Sequence, residues 1–243
     1  MLKSKLLMVT LVFLLTVPVY AQVIFQDNFD DPAASEANWE MIAGNWEFKD
    51  GMLYSKSAAV RFITTYVAES KWDRDKPNEF DEYTMEFRFM KEAGPECCRP
   101  IWRSIADPLP KNDAERAGFY EWNIGGWSNT RSVLRRFDLN GTANYLLDSN
   151  IDAGMKIGAS VNTGEWYEVK VVIRNNGLTE GYLNGEKSWE IEDNTWTEGR
   201  IGIVNYLADM YFDDFRIYGP EGGGMSVEPE NHLATTWGNM KTE

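Results

Sequence analysis

Asp50-Gly51, Asn140-Gly141, Asn176-Gly177 and Asn184-Gly185 restrict what this chain can fold into more than any other feature. Asx-Gly pairs suit the left-handed backbone of tight hairpins, because Gly carries no Cβ and Asn or Asp tolerates positive φ. The runs between these turns are short and rich in aromatic and β-branched residues. In residues 82–90, Tyr83, Met85, Phe87 and Phe89 alternate with Glu82, Thr84, Glu86 and Arg88. In residues 165–174, Tyr167, Val169, Val171 and Ile173 alternate with Trp166, Glu168, Lys170, Val172 and Arg174. A period of two means strands with one face turned toward a core. Single hairpins bury too little to stand alone, so the strands are expected to form two facing sheets in an all-β antiparallel sandwich.

The first residues read differently. Lys3 and Lys5 precede an apolar run over residues 6–17, and Ala21 offers a small-residue cleavage site. Residues 1–21 are therefore expected to be a signal peptide, and the mature chain secreted, periplasmic or extracellular. The apolar run is too short for a membrane span, and no second one follows, so no membrane insertion is expected. The formal net charge of −14 disfavours nucleic acid, whose phosphates would be repelled. Neutral glycans, basic groups and divalent cations stay open as partners. One domain is expected over residues 22–220. Residues 221–243, opening on Gly222-Gly223-Gly224, are expected to be a flexible tail able to contact a protein partner.

Residues 91–116 break the strand pattern with several prolines and the pair Cys97-Cys98. A long loop at the sheet edge is expected there, carrying Trp102 and Arg103 to the functional surface. An oxidising compartment favours a bond between the two thiols. Adjacent Cα atoms nonetheless sit closer than disulfide geometry prefers. A bond to another chain and free thiols are the alternatives.

Residues 120–131 hold the densest set of sugar-binding groups. Trp122 and Trp127 flank Gly125-Gly126, beside Tyr120, Glu121, Asn123, Asn129 and Arg131. An indole face stacks on the apolar face of a sugar ring, and amide, carboxylate and guanidinium groups bond its hydroxyls. Along a strand, Tyr120 and Trp122 share one face while Glu121 and Asn123 share the other. The alternative is that Trp122 is core and the Gly pair only bends the strand. The expected glycan contacts are Trp102, Arg103, Tyr120, Glu121, Trp122, Asn123, Trp127, Asn129 and Arg131. The only histidine, His232, lies in the tail, which removes a Ser-His-Asp or Cys-His site from the domain. No catalytic residue is expected. Were the protein an enzyme, Glu121 and Asp138 would be the carboxylate pair. Glu190, Glu192 and Asp193 read as a solvated strand face. Asp27, Asp30, Asp213 and Asp214 offer hard oxygen ligands from the first and last strands, which suit a structural calcium ion. Exposed acidic strand ends are the alternative.

The opening Phe25-Gln26-Asp27-Asn28-Phe29-Asp30, Trp39 and Gly44-Asn45-Trp46-Glu47 resemble the start of concanavalin A-like jelly rolls of the laminin-G and 3-keto-disaccharide hydrolase kind. Gly164-Glu165-Trp166-Tyr167-Glu168-Val169 with Tyr182-Leu183-Asn184-Gly185 resembles their paired late strands. Tyr211-Phe212-Asp213-Asp214-Phe215-Arg216-Ile217-Tyr218 resembles their last strand. Residues 122–130 are similar to a segment of accessory domains attached to α-L-arabinofuranosidases. The resemblance implies a jelly-roll sandwich in a superfamily of lectins, glycan-binding modules, hydrolases, lyases and adhesion domains. With the missing histidines, it implies a non-catalytic domain binding a neutral plant- or algal-type polysaccharide. The alternatives are a glycoside hydrolase and a laminin-G-like adhesion domain.

Overall fold

A computed structural model describes residues 23–57, 63–68, 71, 82–152, 155 and 158–219. Residues 1–21 and 221–243, with His232, lie outside them. The strands in chain order are β1 (Val23–Asp27), β2 (Trp39–Ala43), β3 (Asn45–Lys49), β4 (Met52–Lys56), β5 (Ile63–Val67), β6 (Tyr83–Ala93), β7 (Cys98–Ser104), β8 (Phe119–Gly125), β9 (Arg131–Phe137), β10 (Ala143–Asp148), β11 (Trp166–Ile173), β12 (Leu178–Leu183), β13 (Glu186–Glu192), β14 (Arg200–Asn205) and β15 (Asp209–Tyr218). A short helix, α1 (Pro32–Glu36), follows β1 and is capped by the Asp31 carboxylate. One sheet has the order β13-β12-β11-β6-β15-β4-β3, with β1 added to β15. The other runs β10-β9-β8-β7-β14-β5-β2. The β1–β15 register sets Val23 opposite Tyr218. This is the all-β antiparallel two-sheet sandwich expected from the turns and the alternation.

The alternating strands β6 and β11 pair with each other, Phe87 opposite Val169 and Met85 opposite Val171. Their apolar faces meet Phe212 and Phe215 of β15 in the main core. The other sheet contributes Trp102, Tyr120 and Trp122, all buried. Trp102 stacks between Tyr120 and Trp189, with ring centroids 5.8 and 6.0 Å apart. Trp122 meets Trp189 edge to face at 5.4 Å and donates its Nε1–H to Ser132 at 2.9 Å. Aromatic groups of this size each bury about 150–250 Å², which makes this stack the anchor between the layers. Gly181 is required beneath it, because a Cβ there would run into the Trp189 indole. Gly181→Ala is expected to lose about 1–3 kcal/mol through overpacking. Urea denaturation should show it, and an unchanged midpoint would count against the stack as the anchor.

Residues 91–116 do not form the expected edge loop. β6 continues to Ala93, and β7 is an inner strand between β14 and β8. Pro100 misled the sequence reading, since proline is rare inside sheets. It is tolerated because β7–β8 pairing is confined to Ile101–Glu121 and Trp102–Tyr120. Pro100, with no N–H to give, sits just before that ladder. The irregular parts are the short β6–β7 connection at residues 94–97 and residues 105–118, which hold one 3-10 turn at Asp113–Glu115 and are closed at the neck by Ile105 N–H donating to the Gly118 carbonyl at 2.9 Å.

The expected Cys97–Cys98 bond is also corrected. Both thiols are free and buried. Both pack in the main core cluster, and adjacent Cα atoms sit closer than disulfide geometry prefers. Burial pushes the Cys97 thiol up to about 12 and raises Cys98 as well. The native protein is expected to resist a thiol-reactive aromatic disulfide, and the urea-unfolded chain to release two equivalents of chromophore. Prompt labelling of the native state would overturn this.

The four aspartates expected to hold calcium are each engaged by protein groups. Asp27 accepts hydrogen bonds from Phe29 N–H, Ser35 Oγ, Asn38 Nδ2 and Trp39 Nε1 at 2.7–3.0 Å. It thereby fixes the β1–α1–β2 corner. Asp30 accepts from the Asn28 amide at 2.6 Å. Asp213 and Asp214 both pair with Arg88, the latter at 3.0 Å. Among the described residues, no group of three or more His, Cys, Asp or Glu stands ready to hold a metal. These residues do not fit the calcium site expected of them.

Candidate functional site

β8 is buried along both faces. Tyr120, Trp122 and Ile124 point between the sheets. Phe119, Glu121 and Asn123 take the opposite face by alternation. Register extends that outer row across the sheet: Glu121 stands opposite Ile101 on one side and Arg135 on the other, and Arg135 opposite Tyr145. Ile101 in turn stands opposite Gly202, and Gly202 opposite Tyr66. Tyr66, Ile101, Phe119, Phe137 and Val204 form a second apolar cluster, against which Leu109 of the 105–118 loop packs. The loop thus covers part of the outer face of the seven-stranded sheet.

Beside this cluster lies a polar floor. Glu121 is fully buried. Its Oε1 accepts a hydrogen bond from Arg135, while Arg116 and Arg99 stand 3.7 and 3.8 Å away. Burial alone would push the Glu121 carboxyl up. The charges of Arg135, Arg99 and Arg116 outweigh burial and hold it down at about 2. So weak a base neither gives nor takes a proton near neutral pH, which does not suit a general acid or base. Asp138 stands with Arg136, which also bonds Asp193. Arg136 alternates with Arg135, so the two carboxylates of the expected pair do not face each other.

Several floor atoms have no hydrogen-bond partner in the protein. They are Glu121 Oε2, both amide atoms of Asn123, Arg99 Nε and Nη1, and Arg135 Nε. Leaving a buried polar atom unpaired costs about 1–3 kcal/mol. The set holds both donors and acceptors, gathered on one face.

The rim is built by a strained turn. Gly125, Trp127, Ser128 and Asn129 all have left-handed backbone, with φ of 62, 49, 60 and 64°. For residues with a Cβ this costs roughly 1–2 kcal/mol each. Asn129 holds the turn in place: its Nδ2 donates to the Val161 carbonyl at 2.9 Å, and its Oδ1 accepts from Val161 N–H at 2.8 Å. A Cβ on Gly126 would press on the Asn123 amide, so no larger residue fits. Such strain persists only where the surroundings over-determine it, and it concentrates at functional sites. Here it presents the half-buried Trp127 over the floor. Arg131 and Arg135 guanidinium groups lie 4.7 and 5.3 Å from its ring, and Tyr145, 51% exposed, is 6.4 Å away. Arg131 is itself fixed by Asp148, through Nε at 2.7 Å and through Nη2. At the other side of the floor, Arg99 lies 4.0 Å from the centre of the half-buried Tyr206 ring.

Of the expected contacts, Glu121, Asn123 and Trp127 therefore meet at one place, and Asn129 and Arg131 brace it. Trp102, Tyr120 and Trp122 are sealed between the sheets and cannot stack on a sugar. Arg103 is also buried, donating to the carbonyls of Trp196 and Arg174 at 3.0 and 3.1 Å. Sequence reasoning missed Arg99, Arg116, Arg135, Tyr145 and Tyr206. For Arg135 a signal existed: Val133, Arg135 and Phe137 alternate with Leu134 and Arg136, like Glu121 in its own strand.

Two antiparallel sheets in this order, with a polar floor and aromatic rim on one outer face, define a concanavalin A-like jelly-roll sandwich. Residues 25–218 match the 3-keto-alpha-glucoside-1,2-lyase-like domain, and the chain belongs to that family. An extracellular exo-alpha-L-arabinofuranosidase of Streptomyces chartreusis is 23% identical over 159 residues, covering 65% of this chain but 16% of that enzyme. The carbohydrate-binding module CBM66 of Bacillus subtilis superposes with a TM-score of 0.57 at 14% identity, over 75% of this chain and 96% of the module. A galectin-like protein of unknown function from Bacillus subtilis superposes with a TM-score of 0.58 at 15% identity, over 81% of this chain and 96% of the other. At such identities these likenesses bear on the fold. Among the described residues, no helix is long and apolar enough to cross a membrane.

Proposed function

We propose that this domain binds a neutral plant- or algal-type glycan on the outer face of its seven-stranded sheet and performs no chemistry on it. The observation that supports this most is the unsatisfied floor of Arg99, Glu121, Asn123 and Arg135 beside Trp127 and Tyr145. A sugar hydroxyl both donates and accepts, so a ring laid there meets donors and acceptors at once. The glycan connections of the arabinofuranosidase and the CBM66 module agree with this, as would export of the chain by the proposed signal peptide of residues 1–21. Glycan-array screening followed by calorimetry tests it, run with calcium and with EDTA. Binding that does not depend on calcium is expected, since the four aspartates are already engaged. No binding to any arabinan, xylan or β-glucan would count against the proposal. Residues 221–243 are the proposed contact for a protein partner, to be tested by comparing pull-downs of the full chain and a tail truncation.

A second reading, cleavage of a keto-sugar glucoside, is favoured by the family match. It predicts release of the sugar from a 3-keto-alpha-glucoside on incubation. The strongly ionised Glu121 speaks against it, and release of the sugar by the wild-type protein would reverse that judgement.

A further inference from the structure

We infer that the ligand lies across the strands and fills a second subsite at Tyr206 and Arg99, so that the domain reads an oligosaccharide several rings long. This rests on the glycan-binding proposal and specifies its ligand. Trp127 and Tyr145 stand over β9 and β10, whereas Tyr206 directly follows β14. In the sheet order, β10 and β14 are four interstrand steps apart. At about 4.8 Å per step that is roughly 19 Å, well beyond the width of one sugar ring.

The floor between these aromatic ends is polar throughout. From the Tyr206 side it offers Arg99 Nε and Nη1, then both atoms of the Asn123 amide and Glu121 Oε2, then Arg135 Nε. Arg99 and Arg135 are 3% and 5% exposed, and Glu121 and Asn123 not at all, so these groups are fixed rather than loosely solvated. Arg99 hydrogen-bonds through Nη2 to Glu96 at 3.0 Å, while its Nη1 stands 3.8 Å from Glu121 Oε1 without a hydrogen bond. β7 and β8 pair at Ile101 and Trp102 but not at Arg99, so no β7–β8 ladder bond forms where Arg99 and Asn123 stand. Arg116 reaches from the 105–118 loop to within 3.7 Å of Glu121 and flanks this row of groups. Aromatic surface at both ends and hydrogen-bonding groups between them match a neutral chain of linked rings.

The test is calorimetry with arabino-, xylo- and β-gluco-oligosaccharides, from monosaccharide to hexasaccharide, on wild type, Trp127→Ala and Tyr206→Ala. For the series that binds, wild-type affinity is expected to rise at least tenfold from the monosaccharide to the tetrasaccharide. Tyr206→Ala should bring the tetrasaccharide back to monosaccharide-like affinity and leave the monosaccharide unchanged. Trp127→Ala should weaken every length. A length-independent wild-type affinity, or an equal loss for all lengths in Tyr206→Ala, would overturn the second subsite while leaving glycan binding intact. Absence of wild-type binding at every length would instead remove the glycan-binding proposal beneath it. The wild-type length series needs no variant, so it stands even if Tyr206→Ala folds poorly.

Discussion

Glu121→Gln is expected to destabilise the domain by about 3–5 kcal/mol, because it removes the anion from a buried cluster and leaves its cations behind. Arg135, Arg116 and Arg99 all converge on Glu121 Oε1. A neutral amide of the same shape supplies no charge to offset them, and its NH₂ group adds a donor where donors are already in excess. Urea denaturation at neutral pH measures the loss, and a change below about 1 kcal/mol would show that solvent reaches the cluster more freely than its burial implies. The same carboxylate sets a pH response. Held down by the three guanidinium groups, its folded pKa of about 2 lies below the ordinary value of 4.5 for a glutamate. Its stabilising effect is therefore complete above about 4.5 and fades as the pH falls toward 2. Wild type should lose stability through that window, and Glu121→Gln should show a flatter profile there.

Trp127→Ala is expected to weaken glycan binding by about 2–4 kcal/mol, roughly 30- to 1,000-fold, as loss of a central aromatic anchor does. Folding stability should scarcely move, because this indole is only half-buried and packs against Arg131, Arg135 and Tyr145 at the surface. Trp127→Gly sharpens the comparison. At φ of 49° a glycine relieves backbone strain, so this variant should be at least as stable as Trp127→Ala yet equally poor in binding. Trp122→Ala supplies the contrast, since emptying a site in the stacked core should cost about 3–5 kcal/mol in stability. Calorimetry and urea denaturation on the three variants separate the roles. Full affinity in Trp127→Ala would move the binding surface elsewhere.

The hairpins were legible because their chemistry is local. Asp50 and Asn184 have positive φ with Gly51 and Gly185 following, as the Asx-Gly pairs required. β6 and β11 were legible because one face of each is apolar and the other charged. β8 was not, because both of its faces are buried. Alternation correctly grouped Tyr120 with Trp122 and Glu121 with Asn123, but could not say which group met the core. The partners of Glu121 come from β7, β9 and the 105–118 loop, and only the register of distant strands brings them together. Trp127 was legible as an aromatic group beside a glycine pair, yet its position depends on Asn129 grasping Val161, a contact across 32 positions of sequence. Pro100 hid a central strand because proline is rare inside sheets, and only the short β7–β8 ladder lets it sit there.

Val23 lies beside Tyr218 where β1 joins β15. The polypeptide thus enters and leaves the sandwich at one spot, in the sheet opposite the polar floor. Joined ends of this kind let a domain be spliced into a longer polypeptide as a self-contained insert. A neighbour attached there would leave the opposite sheet, with its Glu121 cluster and Trp127, uncovered.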